Sequence, residues 1–75
     1  MINLEEAQKL WFNSQPIDGL AFGLNDTVHI KSGICAGQFG SVISIISLNP
    51  SPIYLVELGL DGSDIEIAQS ELESA

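Results

Sequence analysis

A chain of 75 residues has room for one small domain, and at this size only about 60% of the surface of the unfolded form is buried on folding. Hydrophobic residues make up 45% and charged residues 16%, with ten Asp and Glu against two Lys and Arg, for a formal net charge of -8. That balance disfavours both the phosphate-neutralising route to nucleic acid and an anionic membrane surface, because only Lys9, Lys31 and a protonated His29 can act as cations.

Asn3 followed by Glu6 has the spacing of a helix N-cap with its capping-box partner, and Leu4, Ala7, Leu10 and Trp11 then recur on one helical face. Asn13, Ser14 and Pro16 close the helix, with Asn13 suited to the left-handed C-terminal position. Standing alone it is too short to be stable in water, so it must pack on the rest of the chain or on a neighbouring subunit. The segment 17–24, with two glycines and no helical period, is predicted to be a loop anchored by Leu20, Phe22 and Leu24. Asn25-Asp26 reads as a turn. Thr27 to Lys31 then alternates as a half-buried strand, with Val28 and Ile30 on one face.

Gly33, Gly37 and Gly40 mark backbone that needs a positive φ or a close approach. Val42 to Leu48 is predicted to be the second strand. Val42 and Ile45 lie three apart, so a bulge is required to put both on one face. Asn49-Pro50-Ser51-Pro52 is a turn into a third strand, Ile53 to Leu58. In a regular hairpin Leu48 pairs with Ile53, Ile46 with Leu55 and Ile45 with Val56. Asp61-Gly62 is a tight turn before a short fourth strand carrying Ile65 and Ile67, and residues 69–73 offer one turn and a last strand through Leu72.

Asn25 to Gly33, followed by Ala36-Gly37 and Gly40-Ser41-Val42 through Ile45, resembles the KOW motif and the wider SH3-like barrel class. Tyr54 to Leu58, Ile65-Glu66-Ile67 and Ser70 to Glu73 resemble the remainder of such a barrel, so the likeness covers residues 25–73. It implies an all-β, five-stranded SH3-like barrel over residues 25–75, preceded by one short amphipathic helix and a loop in residues 1–24. It also implies a stand-alone bacterial protein, with a mobile gene cassette product among the expectations. KOW domains meet RNA or protein through their first loop, which here is Ser32 to Phe39. Lys31, Cys35, Gln38 and Phe39 are the candidate binding residues there, but the loop lacks the basic residues of an RNA-binding member. A nucleic-acid or ribosome-associated factor is therefore the alternative to a protein-binding module. The paired aromatics of a polyproline groove are absent.

No constellation reads as an active site, and no catalytic residue, metal or cofactor is expected. His29 with Asp26 has the ingredients of acid-base chemistry, but the alternation points His29 outward as an ordinary surface histidine. Cys35 lacks an evident base to activate it, cannot form an internal disulfide, and fits a reducing compartment. Asp61, Asp64 and Glu66 offer oxygen ligands without the spacing of a calcium loop. The N-terminus has neither a basic n-region nor an apolar run of signal-peptide length, so a cytoplasmic location is expected.

The apolar surplus carries the functional expectation. The two central strands are apolar on both faces, and a small barrel has one interior. Ile43, Ile46, Leu48, Ile53 and Leu55, with Leu10, Trp11 and Phe12 from the helix, are the candidate interface residues. Each such side chain left wet forgoes about 1.5–3 kcal/mol. A non-enzymatic, acidic module that forms a dimer or tetramer and favours a basic protein partner follows from this.

Overall fold

The computed structural model describes residues 3–75. Helix α1 spans Leu4–Phe12, and its start is fixed as the sequence predicts: extended Asn3 accepts a 2.8 Å hydrogen bond from the Glu6 N–H through its side-chain oxygen. At the other end the left-handed residue is Ser14, with φ 60°, rather than Asn13. Asn13 caps the helix through its side chain, whose amide donates to the Lys9 carbonyl at 2.7 Å.

Five strands follow: β1 (Thr27–Ile30), β2 (Phe39–Ser47), β3 (Ile53–Leu58), β4 (Asp64–Ala68) and β5 (Leu72–Ser74), with a 3-10 turn at Gln69–Glu71 between the last two. They form one antiparallel sheet in the order β4-β3-β2-β1-β5. The sheet is not closed, because β4 and β5 are its two free edges.

β2 begins at Phe39, three residues before the predicted start, and carries Gly40 into the ladder opposite both Val28 and Leu58. Glycine is required there. A Cβ would come within 2.6 Å of Val56 Cγ1 and 2.7 Å of the Glu57 carbonyl oxygen. Gly33 and Gly37, both at φ 91°, turn the β1–β2 loop through backbone that other residues rarely adopt.

The hairpin register differs from the regular one. Ser47 pairs with Ile53, Ile45 with Tyr54, Ser44 with Leu55 and Val42 with Val56, with irregularities between Val42 and Ser44 and between Ile45 and Ser47. Ile43 and Ile46 are thus the extra residues of two bulges, where the sequence demanded only one. The first bulge adds a residue between them, so Val42 and Ile45 both point inward and are fully buried.

The core is built from Val28, Ile30, Val42, Ile45, Tyr54, Val56, Leu58, Ile67 and Leu72, joined by Trp11 from the helix and Phe22 from the loop. Trp11 donates its indole N–H to the Phe22 carbonyl at 2.8 Å, and Phe22 meets the Tyr54 ring edge-on at 5.7 Å. Ile17, Leu20 and Leu24 pack against this cluster from the anchoring loop. Gln69 fastens the loop to the sheet. Its side-chain oxygen accepts from the Ala21 N–H at 2.9 Å and from the Tyr54 hydroxyl at 2.5 Å, and its amide donates to the Gly19 carbonyl at 3.0 Å.

Candidate functional site

The helix packs on its own sheet. Ala7 is fully buried and Trp11 is 2% exposed, and at the second bulge the Gln8 amide donates to the Ile45 carbonyl at 2.9 Å. Trp11 is therefore a core residue and is not available as an interface anchor. Its neighbours Leu10 and Phe12 remain exposed, with Phe12 edge-on to the Trp11 ring at 5.2 Å.

The outer face of the sheet follows from the register. Across β2, β3 and β4 its rows are Ser41–Glu57–Asp64, Ser44–Leu55–Glu66 and Ser47–Ile53–Ala68. In a bulge two residues oppose one, so Ile43 shares the place of Ser44 against Leu55, and Ile46 that of Ser47 against Ile53. Ile43, Ile46, Ile53 and Leu55 are half-buried and lie outside the core cluster. Leu48, expected with them, instead packs against the core: two bulges put it in phase with Val42 and Ile45. The result is an aliphatic patch interleaved with serines and free of charge, ending at Glu57, Asp64 and Glu66.

The residues expected in one first-loop surface separate into two places. Gln38 and Phe39 line a shallow depression of about 340 Å³ with Gly59 and Leu60, which is 84% exposed. Phe39 also lies against His29, with ring centroids 4.8 Å apart and the rings tilted by 41°. Cys35 lies in a separate groove of about 310 Å³ between the β1–β2 loop and the free edge of β4, floored by Ile30, Ile65 and Ile67 and rimmed by Ile34, Glu66 and Glu71. Lys31 is exposed and lines neither.

No family model, curated protein or solved structure matches the chain.

The residues with chemical potential are otherwise engaged. His29 Nδ1 lies 2.7 Å from Glu73 Oε2 across the β1–β5 ladder, while Asp26 accepts from the Gly23 N–H at 2.8 Å, so the sequence-suggested His29–Asp26 pairing is not formed. Asp61 accepts from the Ser63 N–H at 2.9 Å, and that bond and the Ser63 hydroxyl hold its carboxyl below the usual carboxylate range. Among the described residues no three carboxylates, histidines or cysteines are grouped to hold a metal ion. Nor is any helix there long and apolar enough to cross a membrane.

Ile34 and Leu60 were not singled out by sequence reasoning. The signal was present in both cases: each is a large aliphatic residue inside a turn-forming stretch, Ser32-Gly33-Ile34 and Gly59-Leu60-Asp61-Gly62, where nothing local can bury it.

Proposed function

We propose that this protein is a non-enzymatic SH3-like module that acts by binding protein, in the first place another copy of itself, through the outer face of β2 and β3. The strand order, with a 3-10 turn between the last two strands, supports the SH3-like reading. The observation that carries the functional reading is the uncharged patch of Ile43, Ile46, Ile53 and Leu55, which lies outside a core already filled by other side chains. On a chain of net charge -8, a patch that itself carries no carboxylate, bordered by Glu57, Asp64 and Glu66, is where two copies can approach most closely. Exposed Leu10 and Phe12 add apolar area on the helix.

Light scattering behind size exclusion at tens of micromolar chain tests this. A dimer or tetramer is expected, and a strict monomer overturns it. In the assembled protein Ile46→Asp should weaken association by at least about tenfold, since burying an unpaired charge costs more than 1.4 kcal/mol. The thermal melt should be little changed, because Ile46 is outside the core.

A further inference from the structure

The groove at the open seam of the sheet differs from the outer face in both shape and charge. Three consecutive residues of β4, Ile65, Glu66 and Ile67, line it, so β4 presents its backbone edge there as well as its side chains. β4 has a ladder partner on one side only, β3. An edge strand of this kind offers a row of N–H and C=O groups to a further strand. Its alternation sets what that strand must carry. Ile65 and Ile67 continue the inner, core-facing row, and Asp64 and Glu66 continue the outer row. The added strand would therefore place every second side chain over the aliphatic floor and the others beside two carboxylates.

Several features narrow the choice of occupant. Glu71 stands on the groove's rim, where its carboxylate accepts from the Ser32 hydroxyl at 3.3 Å and sits against Gly33, whose missing side chain leaves it room. Among the described residues neither lysine pairs with a carboxylate, so Asp64, Glu66 and Glu71 are not neutralised from within the chain. A second copy is a poor occupant. Its own edges carry Asp64 and Glu66 on β4 and Glu73 on β5, and like charges side by side across a ladder are destabilising. A polyanion is excluded by the same carboxylates.

We infer that the seam between β4 and the β1–β2 loop binds an extended segment of another protein in which lysine or arginine alternates with aliphatic residues, added as a sixth strand to the free edge of β4. The aliphatic side chains cover half-buried Ile65 beside the buried Ile30 and Ile67, and the cations meet Asp64 and Glu66 of the outer row and Glu71 on the rim. Exposed Ile34 flanks the far side. This rests on the reading of the protein as a non-enzymatic binding module and gives it a second face, distinct from the one used between copies.

The probe is a short synthetic peptide of alternating lysine and valine, labelled at one end and titrated into the full chain, with oligolysine of equal charge and an alternating glutamate–valine peptide as comparisons. Saturable binding of the lysine–valine peptide is expected, tighter than that of oligolysine and weakening as salt rises. Glu66→Lys should weaken it by about tenfold and Glu66→Gln by less, while Ile46→Asp leaves it unchanged. Amide exchange over Asp64–Ala68 should slow when the peptide is added, because a new strand protects that edge. Absence of saturable binding, equal affinity for oligolysine, or unchanged exchange along β4 would each overturn the inference. A monomeric protein that still binds the peptide refutes the self-association reading alone.

Discussion

Tyr54 illustrates how much of this small domain hangs on single polar contacts. Its ring is fully buried, and its hydroxyl donates to Gln69 and accepts from the Phe22 N–H at 3.4 Å. Burial disfavours the phenolate and raises the pKa above the ordinary phenol value. The neutral ring therefore contributes stability that is fully present below pH ~10 and is lost as the pH climbs through the raised folded value. Because Tyr54 is the chain's only tyrosine, phenolate absorbance titrates it alone. Its midpoint should lie above the ordinary phenol value, with the melting temperature falling over the same range. Tyr54→Phe should cost about 1–3 kcal/mol at neutral pH, since the buried Phe22 N–H loses its acceptor while Gln69 keeps its bond from Ala21, and should remove that tyrosine-dependent decline. A phenol that titrates at its ordinary value in the folded protein would contradict this burial.

Among the elements, α1 and β2 behaved differently under sequence reading. The helix was legible because its signals are local: Asn3 three residues before Glu6, and an apolar stripe of helical period. What the stripe could not say is which of its members would be covered. Ala7 and Trp11 are buried whereas Leu10 is 40% exposed, since the helix leans on β2 through one narrow edge. Trp11→Ala should accordingly cost about 3–5 kcal/mol in denaturant unfolding, and Leu10→Ala no more than about 1 kcal/mol. Equal losses would contradict the packing of the helix on its own sheet. β2 was legible in kind and missed in register. The spacing of Val42 and Ile45 required one bulge, but the second, at Ile46, shows only as a serine recurring after three residues, a pattern that also fits a regular strand with polar interruptions. The start of β2 was hidden for another reason. Gly40 belongs to the ladder through its close approach to Val56 and Glu57, a long-range property that no local pattern carries. The outer patch was thus largely foreseeable from composition, whereas the seam groove was not, because its walls come from residues 30–35 and 65–71 and meet only through the topology.

For the whole molecule, the uncharged patch and the acidic seam predict opposite responses to salt. Copies that meet through the uncharged face must bring two chains of net charge -8 together, so moving from low to physiological ionic strength should strengthen self-association in sedimentation or light scattering. Weakening over the same range would place carboxylates paired with cations at that interface and would contradict the assignment. The bulges on β2 have a last consequence. Bulges bend a strand and increase its twist, and β2 is the strand that joins the β1–β5 half of the sheet to the β3–β4 half. The curvature that lets one sheet wrap around its own core is therefore made by the two residues that also supply half of the aliphatic patch. Exchanging Ile43 or Ile46 for a polar residue would remove part of the aliphatic patch and keep the bulge, whereas deleting either would straighten the corner and unwrap the core. The shape of the sheet and the apolarity of its outer face are written in the same two codons and can be separated only by substitution.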